Sequence, residues 1–307
     1  MASFMAKLAP YFMRKMFSMN PVEGNSLRDV TMRISKDGYK LRKGYTRTEE
    51  TTPNGTKYET YRSSVGKNGK LFLYFHGGGY VVGLSQLYRY LACDLATAID
   101  GECILLDYSI APEFRYPTQR DQAFDLWNEL TENQGYDPAN IYVGGDSAGG
   151  NLILTLLLGL RDQGKKMPRC LVAISPWTDM TASGPNYFKN YNRDPMFGQK
   201  SEPLTPETRE VLLKSEMYDW CGDANREDPY VSPVYGDYNG FPPSIISVGG
   251  DEILWDDAMT IADNMDKHGV EVKRICHEGM FHIYPLFPMF PEGKEAFEEI
   301  VAFVKAH

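Results

Sequence analysis

The sequence predicts an α/β protein with a mostly parallel sheet of about eight strands and helices on both faces. Two strand-like segments, 43–51 and 57–63, flank Pro53-Asn54-Gly55 and together indicate a hairpin. Short apolar runs such as LFLYF, CILL and IYV then alternate with helical segments. Because these runs are apolar at every position, both faces of their strands should be covered.

The remaining elements are assigned in chain order from the same alternation. Strands are expected at 70–75, 102–106, 141–143, 169–174, 244–248 and 271–276, and helices at 85–99, 118–132, 151–160, 256–268 and 292–306. Segment 178–240 interrupts this order and is rich in Pro, Gly, Asn and Tyr, with one helical stretch near 206–219. So long an excursion in an α/β domain is typical of a lid or cap over a functional site.

Composition narrows the range of partners. A chain of 307 residues suits one large α/β domain with insertions, or two domains. The net charge of -9 argues against nucleic acids and anionic membranes as partners. Basic residues and Pro10 interrupt the apolar residues of 1–17, so neither a signal peptide nor a membrane span is expected. That segment is predicted to form an amphipathic helix on the protein's own surface, with a helix on a membrane surface as the alternative.

The five cysteines are odd in number and form no CxxC pair. Cys103, Cys170 and Cys276 lie in or beside apolar runs, which favours buried thiols over disulfides or metal ligands. Free thiols are typical of a reducing compartment, so a cytoplasmic location is expected.

A candidate nucleophile, Ser147, lies in the string GDSAGG at 145–150. The string follows the apolar run 141–143 and precedes the helical segment 151–160. A Gly-x-Ser-x-Gly between a strand and a helix is the context of a nucleophile elbow, in which small neighbours allow a sharp turn and expose the hydroxyl.

A serine nucleophile needs a base, and the two candidates are His277 and His282. His277 directly follows the last strand, whereas residues 278–281 carry the chain away from the sheet edge toward His282. We therefore favour His282. The other histidines open the string HGGG at His76, end a helix at His268, or terminate the chain at His307.

The base in turn needs a carboxylate partner, and several acids follow the strand that ends at Val248. Asp251 is closest to the carboxyl end of the strand, Glu252 is expected to point away from its neighbour, and Asp256 suits a helix N-cap. The order Ser147, Asp251, His282 is the Ser…Asp…His order of α/β hydrolases, which favours Asp251.

An oxyanion needs hydrogen-bond donors, and the string HGGG at 76–79 follows the third strand. Glycines let the main chain approach a substrate closely, so the N–H groups of Gly77, Gly78 and Ala148 are the expected donors. A phosphate-binding loop is the rival interpretation, but the chain has neither GxGxxG nor a GK[ST] ending at this point.

With HGGGY, GDSAGG, GGDEIL and HEGMFH in this order, the chain resembles the hormone-sensitive lipase-like family of α/β-hydrolase esterases. The strings YSIAPEFRYP, SPWTDM and DPYVSPVYGD also match, and the resemblance runs from about Leu71 to the C-terminus. It implies an α/β-hydrolase fold with a core at 43–179 and 241–307, and a mainly helical cap at 1–42 and 180–240. One departure is the spacing from Asp251 to Asp256, which is one residue longer than the family's common D-P-L-R-D.

By this resemblance Ser147 is the nucleophile, Asp251 the acid and His282 the base, with oxyanion donors at Gly77, Gly78 and Ala148. Glu113 matches a residue that supports the site without touching the substrate. Aromatic residues are expected to pack the cap, and several could line a substrate pocket: Tyr80, Tyr187, Phe188, Tyr191 and Phe197.

The expected reaction is hydrolysis of a small carboxylic ester, of short to medium chain length, through an acyl-enzyme on Ser147, with no metal or organic cofactor. A lactonase, deacetylase or amidase would use the same residues, and a non-catalytic receptor on the same scaffold is a further alternative. The resemblance also implies a homodimer formed through the last strand, 271–276.

Overall fold

The computed structural model describes residues 8, 10–14, 40–63, 68–198 and 203–307. Their centre is one eight-stranded sheet in the order β1-β2-β4-β3-β5-β6-β7-β8. The strands are β1 (Tyr45–Thr51), β2 (Lys57–Ser63), β3 (Leu71–Phe75), β4 (Glu102–Asp107), β5 (Ile141–Asp146), β6 (Cys170–Ile174), β7 (Ser244–Gly249) and β8 (Val272–His277). The β1–β2 and β2–β4 pairs are antiparallel and every pair from β4 to β8 is parallel, which confirms the predicted fold class.

Helices connect the strands. They are α1 (Gln86–Ile99), α2 (Thr118–Asn128), α3 (Ala148–Asp162), α4 (Pro185–Lys189), α5 (Pro206–Leu212), α6 (Glu216–Asp219), α7 (Trp255–Lys267) and α8 (Pro291–Ala306). The expected helix at 118–132 ends as an α-helix at Asn128 and continues as a π-helical turn, Glu129–Asn133. Every residue of β3 and β6 is buried. Successive strand residues point to opposite faces, so both faces of the sheet are covered at these central strands.

The excursion at 178–240 lies between β6 and β7 and contains the short helices α4, α5 and α6. Arg14, in the helical residues 10–14, donates to the carbonyl oxygens of Asn192 at 2.9 Å and Gly198 at 3.1 Å. These bonds join the N-terminal segment to the excursion. Most of the predicted N-terminal cap, including 15–39, lies outside the described residues.

All five cysteines are free thiols, and four of them are buried. The prediction that Cys276 is buried is wrong, because β8 is the edge strand of the sheet and Cys276 points to its exposed side. Among the residues described above, no helix has both the length and the apolar character needed to cross a bilayer.

Candidate active site

Ser147 occupies a sharp turn between β5 and α3, with φ 53° and ψ −121°. Few non-glycine residues adopt a positive φ, and such strain is typical of a nucleophile elbow. The turn passes so close to its neighbours that a Cβ on Gly149 would lie 2.0 Å from the Phe75 carbonyl oxygen. A Cβ on Gly145 would lie 2.4 Å from the carbonyl oxygen of Gly149. The two glycines of the motif are therefore required by packing.

His282 is brought to the carboxyl edge of the sheet by contacts between the loops that follow β7 and β8. The Gly250 N–H donates to the His277 carbonyl oxygen at 2.9 Å, and the Asp251 N–H donates to that of Met280 at 3.0 Å. His282 is 2% exposed. His277 instead lies at the partly exposed end of β8, where its Nδ1 is 2.9 Å from the Tyr284 hydroxyl.

The carboxylate that contacts His282 belongs to Glu252. His282 Nδ1 lies 2.9 Å from Glu252 Oε2, and the Glu252 side chain is fully buried. Its other oxygen, Oε1, accepts hydrogen bonds from the Gly249 N–H at 2.5 Å and the Ser175 hydroxyl at 2.7 Å. Because Glu252 is fully hydrogen-bonded, it is well suited to hold the imidazole in one tautomer.

The prediction of Asp251 as the partner of His282 is therefore corrected. The chain turns tightly after β7, with the Glu252 N–H donating to the Gly249 carbonyl oxygen at 3.2 Å, and this turn directs Glu252 inward. Asp251 is directed to the excursion instead, where it forms an ion pair with Arg193. Burial raises the pKa of the Asp251 carboxyl, and the Arg193 guanidinium partly offsets this. Asp256 accepts hydrogen bonds from Asn186.

Ser175 was not identified individually from the sequence, although it opens the matching string SPWTDM. Its hydroxyl donates to Glu252 and accepts from the Ile283 N–H at 3.0 Å. It thus joins the end of β6 to both the acid and the residue that follows His282.

The oxyanion donors also differ from the prediction. The Gly77 N–H donates to Asp146 Oδ1 and to the Tyr88 hydroxyl oxygen, each at 3.0 Å, so the assignment of Gly77 as a donor is wrong. Among the described residues, the N–H groups of Gly78, Gly79 and Ala148 have no hydrogen-bond acceptor. Gly78 has φ 112° and Gly79 has φ 59°, conformations that favour glycine.

A small cavity reaches Ser147. Its lining is mostly apolar and comprises Gly79, Ser147, Trp177, Tyr187, Phe197, Leu212, Met217, Tyr218, Ile253 and Leu254. The Phe197 ring also packs edge-on against the His282 ring, with 4.7 Å between their centroids. Phe197 therefore contacts both the cavity at Ser147 and the ring of His282.

Of the predicted pocket residues, Tyr187 and Phe197 line this cavity, whereas Phe188 and Tyr191 lie outside its lining. Tyr80 is also outside, because its ring packs on Trp220 at 4.0 Å and its hydroxyl donates to Asn151 at 2.7 Å.

Glu113 is exposed in a turn, and its supporting role stays a prediction. A buried carboxylate next to the elbow belongs instead to Asp146, which is fully buried. Burial raises the pKa of Asp146 to about 6, an effect that hydrogen bonds from Tyr88 and Tyr74 oppose.

Within the described ranges, no three His, Cys, Asp or Glu side chains lie close enough together to hold a metal ion.

Comparison with known proteins identifies the family of this chain. Residues 72–286 match the family described as the alpha/beta hydrolase fold. An esterase of Acinetobacter venetianus is 34% identical over 235 residues, covering 76% of this chain and 74% of the relative. An acetyl-hydrolase of Streptomyces hygroscopicus is 32% identical over 240 residues, covering 78% and 76%.

Solved structures give the same result. The crystal structure of an esterase from the bacterial hormone-sensitive lipase family superimposes with a TM-score of 0.84 at 29% identity, and covers 100% of this chain and 99% of its own. The sequence resemblance, the family match and this superposition agree, and the chain belongs to the hormone-sensitive lipase-like family of carboxylic ester hydrolases with the α/β-hydrolase fold.

Proposed function

We propose that the protein is a serine carboxylesterase that hydrolyses short- to medium-chain carboxylic esters through an acyl-enzyme on Ser147. The main support is the buried His282–Glu252 pair, 2.9 Å apart, beside a cavity that Ser147 lines. A serine hydroxyl becomes a competent nucleophile when an oriented histidine can take its proton.

The tautomer of His282 follows from its partner. A carboxylate only accepts hydrogen bonds, so the proton of the neutral imidazole lies on Nδ1 and Nε2 has a free lone pair. Nε2 takes the proton of Ser147 Oγ as this oxygen bonds to the carbonyl carbon of the ester. Glu252 then stabilises the imidazolium, while Gly249 and Ser175 hold its second oxygen.

The tetrahedral intermediate carries its negative charge on the former carbonyl oxygen. The N–H groups of Gly78, Gly79 and Ala148 are the donors we assign to it, because they have no acceptor in the described part of the chain. His282 protonates the leaving alcohol as the carbon–oxygen bond breaks. Water then attacks the acyl group by the same route, which releases the acid and restores Ser147.

The apolar lining of the cavity favours small aliphatic groups over charged ones. The similarity to an acetyl-hydrolase points in the same direction. We further propose that 180–240, together with 1–42, forms the cap over this cavity. The lining residues Tyr187, Phe197, Leu212, Met217 and Tyr218 all belong to the first of these segments.

A substrate panel tests the proposed function. The purified protein should hydrolyse p-nitrophenyl acetate and butyrate fastest, with kcat/KM decreasing for longer acyl chains because the cavity is small. Lactones and p-nitroanilides of matched size should react more slowly. Turnover of a lactone or an anilide without turnover of any ester would replace the proposal with one of these activities. Ligand binding without any turnover would indicate a receptor.

Leu212 should limit acyl-chain length, because it is buried and lines the cavity. Leu212→Ala should raise the ratio of kcat/KM for octanoyl over butyryl esters about ten-fold, since each accommodated methylene adds binding energy. Val211→Ala is the matched control on the same helix, because Val211 is 44% exposed. An unchanged ratio in Leu212→Ala would exclude Leu212 as the limit.

The oligomeric state and location are also proposals. The edge strand β8 is only partly buried, which supports pairing with a second copy through this strand. The five free thiols, one of them exposed, support a reducing cytoplasm.

A further inference from the structure

Asp146 and His76 lie outside the proton relay but contact the loop that carries the oxyanion donors. Asp146 directly precedes Ser147 and is fully buried, and its Oδ1 accepts from the Tyr74 hydroxyl and the Gly77 N–H, each at 3.0 Å. Its Oδ2 accepts from the Tyr88 hydroxyl at 3.0 Å. The residue before the nucleophile therefore holds the first glycine of HGGG.

The fit between Asp146 and Gly77 is close. A Cβ on residue 77 would lie 2.3 Å from Asp146 Oδ2 and 3.0 Å from the Tyr88 hydroxyl oxygen. The first glycine of the motif is thus required because a side chain at this position would collide with Asp146 and Tyr88. The N–H of Gly77 already donates to these same two side chains. This explains why the loop contains a glycine at a position that donates nothing to the substrate.

His76 holds the other side of Gly77. Its Nδ1 lies 2.7 Å from the Gly77 carbonyl oxygen, which can only accept, so Nδ1 carries the proton. Burial lowers the pKa of His76 to about 4, so the ring is neutral at neutral pH. The ring is stacked on Tyr108, with 4.1 Å between centroids and planes 6° apart.

The peptide between Gly77 and Gly78 is planar, with its C=O and N–H pointing in opposite directions. A donor that fixes the Gly77 carbonyl therefore also fixes the direction of the Gly78 N–H. We propose that Asp146 and His76 are positioning residues that hold Gly77 at its N–H and its C=O and so aim the Gly78 and Gly79 N–H groups at the oxyanion. This inference rests on the proposed esterase function.

His76→Phe is the sharpest test. Phenylalanine keeps the stacked ring and removes the bond to Gly77. No other bond of the ring is lost, because His76 Nε2 has no hydrogen-bond partner among the described residues. We expect kcat to fall about 10- to 100-fold with KM changed less than about three-fold, since loss of a whole oxyanion donor costs about 100- to 1,000-fold.

The readout that separates positioning from general destabilisation is the inhibition constant of a trifluoromethyl ketone, which adds to the serine and carries an oxyanion. It should rise by the same factor as kcat/KM falls, because only the tetrahedral state uses the aimed donors. Tyr88→Phe, which removes a bond to Asp146 and an acceptor of the Gly77 N–H, should show the same pattern. Tyr238→Phe is the matched control, since this buried tyrosine donates to the Pro233 carbonyl oxygen away from the loop.

Wild-type kcat in both His76→Phe and Tyr88→Phe would overturn the positioning role, and so would a raised KM with an unchanged inhibition constant. Either result would leave the esterase proposal intact. If His76→Phe does not fold, Tyr88→Phe decides by the same two measurements. A wild-type protein without esterase activity would overturn both proposals together.

Discussion

Ser147→Ala should lower kcat on p-nitrophenyl butyrate by about 10⁴- to 10⁶-fold, because the acyl-enzyme cannot form without the hydroxyl. Alanine keeps the Cβ of serine, so the backbone at φ 53° is no more strained than before and the protein should remain folded. Initial rates at saturating substrate give the ratio, and the thermal midpoint verifies the fold.

Ser244→Ala is the matched control for this substitution. Ser244 is also buried, but its hydroxyl donates to the Pro242 carbonyl oxygen at the start of β7. This is the amino end of the strand, whereas the site lies at the carboxyl ends of the parallel strands. The kcat of Ser244→Ala should stay within about two-fold of wild type, since Ser244 contacts no reacting group. More than a few per cent of wild-type kcat in Ser147→Ala would assign the nucleophile to another residue.

Glu252→Gln should lower kcat by about 10³- to 10⁴-fold, as expected when the carboxylate behind a catalytic histidine is lost. Both oxygens of Glu252 accept hydrogen bonds, one from His282 and the other from Gly249 and Ser175. Glutamine replaces one of these acceptors with an NH₂ donor. If the NH₂ group faces His282, the imidazole loses the acceptor that orients it. If the NH₂ group faces Gly249 and Ser175, the amide loses the hydrogen bonds that anchor the carboxylate. Neither arrangement places a negative charge beside the imidazolium.

Asp251→Asn is the matched comparison for Glu252→Gln, because it removes the adjacent carboxylate and so shows which of the two acids acts on His282. Its ion pair with Arg193 has an exposed guanidinium, and such pairs contribute little, so kcat should change less than about five-fold. A thousand-fold loss in Asp251→Asn, with near-normal rates in Glu252→Gln, would restore the assignment made from the sequence. Thermal midpoints of both variants separate lost chemistry from lost folding.

The fold could be predicted because its signals are local. Runs such as LFLYF and IYV are apolar at every position, and their alternation with helical segments determines a parallel sheet covered on both faces. The elbow was equally visible, since GDSAGG requires small residues wherever the turn touches its neighbours. Burial of Cys276 was mispredicted because the apolar run does not reveal that its strand lies at the edge.

The choice between Asp251 and Glu252 could not be made from spacing. The two are adjacent, and the one directed inward is set by the turn in which the Glu252 N–H donates to the Gly249 carbonyl oxygen. The extra residue between Asp251 and Asp256 was the one sequence signal of a changed turn.

The Gly77 N–H was misassigned for a similar reason. It is used by Asp146, 69 residues away along the chain, and no local pattern shows this contact.

Whether Ser147 is an activated nucleophile is tested directly by the site of covalent modification by a p-nitrophenyl phosphonate, found by peptide mass spectrometry. Such an agent phosphonylates a serine, with loss of p-nitrophenolate, only when a histidine activates the serine and donors stabilise the charged oxygen. We expect one phosphonyl group per chain, on Ser147, in the wild type, and much slower labelling in Glu252→Gln. Labelling of another residue, or none at all in an active preparation, would contradict this expectation.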